Sequence, residues 1–195
     1  MVERQSDALV VFGATGDLAY KKIFPSLQAM AKRGALNVPV VGVGREAWDV
    51  ERIRTRARES LERHGGGVDE NAFARLAGLL RFVGGDYAEA STFEALRKAL
   101  GDAKCPTFYL AIPPSAFATV IHGLAKTGLS GGRVVVEKPF GRDLASARDL
   151  NQILQELFAE PSIFRIDHYL GKTAVNNLMH FRFANSSSPR EAKRS

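Results

Sequence analysis

The chain has 195 residues, of which 45% are hydrophobic and 25% are charged. This composition excludes an intrinsically disordered protein and fits one globular domain or slightly more. The formal net charge of +6 favours an anionic partner, such as nucleic acid, an acidic membrane surface or a phosphorylated small molecule. The N-terminus is polar, no apolar run approaches the roughly 18 residues of a membrane span, and Cys105 is the single cysteine. A reducing, cytoplasmic location is therefore expected.

Short apolar runs alternate with helical patterns along the whole chain. Strands are predicted over residues 8–12, 38–43, 80–83, 107–112, 133–137 and 163–166. Helices are predicted over about 18–33, 49–63, 69–78, 91–100, 115–126, 144–158 and 173–182. Ser91 is expected to cap the fourth helix, with Glu94 completing a capping box, and Asp143 to cap the sixth. Apolar strands alternating with helices predict an α/β fold, with a mostly parallel sheet covered by helices on both faces.

A glycine turn joins the first predicted strand to the first helix. Its residues are Gly13, Ala14, Thr15, Gly16, Asp17 and Leu18. Gly13 permits a tight turn, and Gly16 lets the backbone approach a bound group where a Cβ would collide. The following helix N-terminus offers N–H groups to a phosphate. Packing alone could also require such a turn, but its position after the first strand predicts a dinucleotide site in a Rossmann-type, doubly wound sheet.

The end of the second strand indicates which dinucleotide is bound. Domains that select NAD usually place an acidic residue there, where it bonds the ribose 2′-hydroxyl. Here the strand is followed by Arg45, whose planar guanidinium suits a 2′-phosphate. We therefore predict NADP as the cofactor, although Arg45 taken alone could be an ordinary surface arginine.

Three stretches, at residues 13–25, 137–144 and 165–172, together resemble the glucose-6-phosphate dehydrogenases. The resemblance extends over about residues 8–185, and residues 165–172 match the signature of that family. It implies NADP-dependent oxidation of glucose 6-phosphate at C1, the first step of the pentose phosphate pathway. It also implies a Rossmann-type domain at residues 1–185, which includes the loop that holds the sugar phosphate.

The resemblance also assigns roles to single residues. Those implied to contact the substrate are Lys22, Lys138, His168, Tyr169 and Lys172. Lys138 would also lie beside the nicotinamide, and Asp167 would orient a base histidine that belongs to a second domain. Lys172 precedes a predicted helix, whose N-terminus prefers anions, so a bound phosphate would explain a lysine there. Taken singly, Lys138, Asp167 and His168 each have an ordinary structural explanation.

The end of the chain departs from the resemblance. Residues 186–195 form a polar, basic tail without a counterpart in the family, as a frameshift, an early stop or a gene boundary would produce. The C-terminal β+α domain that holds the base and the dimer surface of these homo-oligomers is expected to be absent, so little turnover is expected.

The alternative functions are an inactive NADP-binding module, another sugar oxidoreductase with a Glu-Lys-Pro strand end, and a nucleic-acid binder suggested by charge alone. Neither nucleic acid nor membrane is expected as a partner, and no metal site is predicted.

Overall fold

The fold is built on one parallel sheet, and the computed structural model describes residues 5–129, 131–141 and 143–166 of the chain. The strands are β1 Ala8–Phe12, β2 Val40–Gly44, β3 Leu80–Gly84, β4 Pro106–Leu110, β5 Arg133–Glu137 and β6 Ile163–Ile166. They lie in the order β3-β2-β1-β4-β5-β6, and every neighbouring pair is parallel. The order reverses between β1 and β4, and ligands of such sheets bind at the carboxyl ends of the strands near that point.

Helices cover both faces of the sheet, which confirms the predicted class. They are α1 Phe24–Lys32, α2 Val50–His64, α3 Glu70–Leu79, α4 Ala90–Leu100, α5 Phe117–Lys126 and α6 Leu144–Leu157. Alternate residues of β1 show how the two layers form. Leu9 and Val11 belong to the core under α1, α2 and α3, whereas Val10 and Phe12 belong to the core under α4, α5 and α6. Because both faces are buried, β1 is continuously apolar rather than alternating.

The helix caps agree with the sequence in one case and correct it in another. Asp143 caps α6 as predicted, with its carboxylate accepting a hydrogen bond from the backbone N–H of Ser146 at 2.8 Å. The prediction for Ser91 was wrong, because α4 begins one residue earlier and Ser91 lies inside its first turn. The hydroxyl of Thr92 donates to the carbonyl of Asp86 at 2.7 Å, and this contact fixes the start of the helix.

The first predicted helix is interrupted in the structure. A π-helical turn over Ala19–Ile23 precedes α1, so the segment after the glycine turn is wider than a regular α-helix. Gly34 ends α1, with a φ of +68° and its N–H donating to the Ala31 carbonyl at 3.1 Å. Glycine adopts this left-handed conformation without the steric cost that a Cβ would bring.

In residues 5–129, 131–141 and 143–166, none of the helices has the length and apolar character needed to cross a membrane. Over the same residues, no three His, Cys, Asp or Glu side chains are grouped so that they could hold a metal ion.

Candidate functional site

A groove of about 450 Å³ lies across the carboxyl ends of β1, β2, β3 and β4. Its walls come from four loops, each of which follows one strand. The lining residues are Gly13, Thr15, Gly16, Arg45, Glu46, Asp86, Tyr87, Ala88, Ala111, Ile112, Pro113, Ser115, Ala116 and Thr119. A smaller, mostly apolar cavity of about 50 Å³ lies at the opposite, amino ends of the strands beside Ala8 and Thr107. The groove, unlike this cavity, contains the glycine turn and the segment that leads into the first helix, where backbone N–H groups can bind an anion.

Gly13 is the residue on which the glycine turn depends. Its φ is +80°, and an added Cβ would lie 2.2 Å from the carbonyl oxygen of Ala111 at the end of β4. The turn closes through the N–H of Gly16, which donates to the Gly13 carbonyl at 2.9 Å. The backbone between β1 and the helix therefore leaves no room for a side chain at position 13. Glycine at position 13 therefore lets the turn pack closely against the end of β4, at the edge of the sheet where dinucleotide phosphates bind in such folds.

Tyr87 anchors the turn from the far side of the groove. The Gly13 N–H donates to the Tyr87 hydroxyl at 3.0 Å and to the Val43 carbonyl at 2.9 Å. The same hydroxyl donates to Val43 at 3.4 Å, so it bridges the turn and the end of β2. Burial raises the pKa of the Tyr87 hydroxyl above its usual value, and the phenol therefore stays protonated and can donate.

Replacing Tyr87 by phenylalanine tests this anchor. We expect Tyr87→Phe to lower the free energy of unfolding by about 1 kcal/mol, because one hydrogen bond is lost while the ring remains packed. The matched control is Tyr20→Phe, whose ring stacks under Arg56 with its centroid 4.6 Å from the guanidinium carbon. Urea unfolding of both variants measures the difference. An equal effect of the two substitutions would contradict the role given to the Tyr87 hydroxyl.

The end of β2 places two opposite charges in the groove. Arg45 is exposed, and within the described residues its guanidinium forms no ion pair. Glu46 follows it and accepts a hydrogen bond from the Thr15 hydroxyl, with 2.5 Å between Oγ1 and Oε2. This hydrogen bond is the main reason why the pKa of Glu46 is lowered, and the positive charges of Arg45 and Arg56 add to it.

The other residues of the predicted glycine turn lie around the groove rather than in its lining. Ala14 is buried and packs under Gly42, where an added Cβ would come within 2.8 Å of the Ala14 methyl group. Asp17 is exposed and pairs with Lys21, with 2.7 Å between Oδ2 and Nζ, and this hydrogen bond lowers the pKa of Asp17. Leu18 packs against the core under α1, α2 and α3. Ala14 and Leu18 thus pack the start of the helix against the core, while Asp17 lies on its exposed side.

The described residues that are expected to contact the substrate do not line the groove. Lys138 directly follows β5, at the same edge of the sheet, and its N–H donates to the Ile166 carbonyl at 3.3 Å. The Lys138–Pro139 peptide bond is cis. Lys22 is exposed in the π-helical turn, and neither lysine lines the groove. Four expected residues, Asp167, His168, Tyr169 and Lys172, lie outside the described residues.

Most residues that line this groove were not predicted from the sequence, and two of them carry hydrogen bonds to the glycine turn. Tyr87 and Glu46 both line it, yet neither was predicted as a site residue. Glu46 had a usable indication, since an acid within two residues of the end of the second strand is typical of dinucleotide domains. Tyr87 lies three residues after the end of β3, the edge strand beside β2, and loops at the carboxyl ends of parallel strands are candidates for ligand contact.

Comparison with known proteins gives one family. The family model described as glucose-6-phosphate dehydrogenase, NAD binding domain, matches residues 10–177. Glucose-6-phosphate 1-dehydrogenase 1 of Mycobacterium tuberculosis is 42% identical over 183 residues, which cover 93% of this chain and 39% of that protein. The crystal structure of glucose-6-phosphate 1-dehydrogenase from Mycobacterium avium has 43% identity and a TM-score of 0.82, over 94% of this chain and 40% of that one.

A further solved structure, of glucose-6-phosphate dehydrogenase in complex with its substrate glucose-6-phosphate, is 35% identical with a TM-score of 0.78. That alignment covers 94% of this chain and 41% of the other. The chain therefore spans about two fifths of the length of the relatives it matches. The matched family model is that of an NAD binding domain, which agrees with the position of the groove at the carboxyl ends of the strands.

Proposed function

Because the chain belongs to the family of NAD-binding domains of glucose-6-phosphate dehydrogenases, we propose that its groove holds NADP for the oxidation of glucose 6-phosphate. One observation carries the choice of NADP: Arg45 lies in the same groove as the glycine turn. The pyrophosphate would bind the backbone of residues 13–18, where the helix N-terminus faces it. Arg45 would then meet the 2′-phosphate with its guanidinium fork.

The substrate assignment rests on the family and on the chain's own lysines. One solved relative holds glucose-6-phosphate, and we carry that substrate over to this chain as a proposal. Lys138, Lys22, His168, Tyr169 and Lys172 would bind its hydroxyls and phosphate. The bound dinucleotide supplies the hydride acceptor, and Lys138 would hold the sugar against it from the edge of β5. Asp167 would orient the histidine that removes the hydroxyl proton.

Residues 1–195 alone are expected to bind the dinucleotide and to turn over glucose 6-phosphate slowly. The resemblance assigns the base histidine to a second domain, and without that base the hydroxyl proton has no acceptor in position. We propose that the whole enzyme acts in the cytoplasm as a homo-oligomer. Its partner is a small phosphorylated sugar, and neither nucleic acid nor a membrane is required. A rate comparable with that of a full-length relative would contradict the expected slow turnover.

The proposed cofactor site can be tested by calorimetric titration with NADP and NAD. We expect Arg45→Ala to weaken NADP binding by about 10- to 100-fold, because a charge-assisted contact with the 2′-phosphate is lost. NAD lacks that phosphate, and its affinity should change by less than about threefold, which corresponds to well under 1 kcal/mol.

The matched control for this experiment is Arg63→Ala, an exposed arginine in the last turn of α2 outside the groove. It carries the same loss of one positive charge, so it reports the effect of net charge alone. We expect it to leave both affinities within about twofold of the wild type. NADP affinity that is unchanged in Arg45→Ala, or weakened equally in both variants, would overturn the assignment of Arg45.

A further inference from the structure

The carboxylate of Glu46 lies against the glycine turn. It accepts the hydrogen bond from Thr15, and both residues line the groove beside Arg45. Gly44 leaves no room between them, because an added Cβ there would lie 2.8 Å from Thr15 Cγ2 and 3.2 Å from Glu46 Oε2. The backbone at the end of β2 thus brings the acidic side chain to the turn at very short range.

The surroundings of this carboxylate keep it ionised at neutral pH. The hydrogen bond from Thr15 lowers the pKa of Glu46, and the guanidinium groups of Arg45 and Arg56 lower it further. Arg56 is held between two rings, with its guanidinium carbon 4.6 Å from the centroid of Tyr20 and 5.6 Å from that of Trp48. The groove therefore presents a negative charge directly beside the positive charge of Arg45.

These neighbouring charges have opposite preferences for the ribose of a dinucleotide. A carboxylate at the end of the second strand accepts a hydrogen bond from the 2′-hydroxyl of NAD, whereas an arginine there accommodates the 2′-phosphate of NADP. A carboxylate close to that phosphate also opposes it by like-charge repulsion. The Thr15 hydroxyl donates to Glu46, so it can donate to a bound phosphate only if this hydrogen bond breaks.

We propose that Glu46 sets the cofactor preference of this domain by accepting a hydrogen bond from the ribose of NAD and repelling the 2′-phosphate of NADP. The assignment rests on the proposed dinucleotide site. Arg45 favours NADP and Glu46 counteracts it, so the wild-type domain binds both dinucleotides, with dissociation constants within about tenfold of each other. Specificity of this kind arises from a repulsive contact as much as from an attractive one.

The test is calorimetric titration of the 195-residue protein and of Glu46→Gln with NADP and with NAD. Glutamine keeps the size of the side chain and a carbonyl acceptor for Thr15, but it removes the charge. We expect the dissociation constant for NADP to fall about fivefold and that for NAD to rise about threefold, so that their ratio changes about 15-fold. Quenching of Trp48, the single tryptophan and two residues from Glu46, provides a second measurement of binding.

The control is Glu59→Gln, which removes an equivalent charge from an exposed position on α2, outside the groove. It should leave the ratio of the two dissociation constants unchanged. If the ratio of the NADP and NAD dissociation constants is also unchanged in Glu46→Gln, the assignment of Glu46 is overturned, but the dinucleotide site remains. This conclusion holds whether or not the thermal midpoint of the variant has shifted. A wild-type protein that binds neither dinucleotide overturns the proposed function, and the role of Glu46 with it.

Discussion

Gly13→Ala is expected to abolish dinucleotide binding, with a dissociation constant at least about 100-fold higher than that of the wild type. The new methyl group would lie 2.2 Å from the carbonyl oxygen of Ala111, a distance that no pair of unbonded carbon and oxygen atoms tolerates. The backbone of the turn must therefore move away from the end of β4. That movement also displaces Thr15 and Gly16, which line the groove with Gly13. Calorimetric titration with NADP measures the loss.

Gly34→Ala separates this clash from the cost of the backbone conformation alone. Gly34 has a φ of +68°, close to the +80° of Gly13, but an added Cβ there would meet nothing within 4 Å. We expect this control to lose about 1–2 kcal/mol of stability for a left-handed alanine and to keep its affinity for NADP. Wild-type affinity in Gly13→Ala would show that the groove does not depend on the turn.

Most of the fold could be predicted because local sequence and tertiary environment agree. β1 is a continuous apolar run, β5 has three consecutive valines between Arg133 and Glu137, and the predicted bounds of both strands are those of the structure. For β2, the prediction began at Val38, two residues before the strand itself. Pro39 interrupts that run, since it has no N–H to offer the sheet, although its carbonyl still accepts from Leu9 at 2.9 Å.

The parts of the site that escaped prediction depend on contacts between residues far apart in the sequence. Tyr87 reaches the N–H of Gly13 across 74 positions, and no local pattern encodes that pairing. The error at the start of α4 is local instead, because the Thr92 hydroxyl bonds the Asp86 carbonyl six positions earlier and Glu89, not Ser91, precedes the helix. Gly13 and Arg45 were found because their roles follow from chain order alone: one ends β1 and the other ends β2.

Phe12→Ala should destabilise the domain most strongly, by about 3–5 kcal/mol, because it removes a fully buried ring and leaves a cavity. The ring of Phe12 contacts that of Tyr87 edge-on, with 5.7 Å between centroids, and lies 6.3 Å from that of Phe93. Truncation therefore also removes the support under the tyrosine that holds the glycine turn. We expect weaker NADP binding in addition to a lower midpoint of urea unfolding.

Domains are typically stabilised by roughly 5–15 kcal/mol, so a loss of this size could unfold the Phe12→Ala variant. Phe12→Leu is therefore included as a milder substitution that should still fold. Leucine fills part of the space and should cost about 1–2 kcal/mol, with a smaller decrease in NADP affinity. Leu144→Ala is the control, since Leu144 is 66% exposed at the start of α6. Its unfolding midpoint should stay near that of the wild type.

If Phe12→Leu lost stability but bound NADP as the wild type does, Tyr87 would hold the turn without help from the core. Parallel loss of both would mean that packing beneath β1 determines the shape of the groove above it.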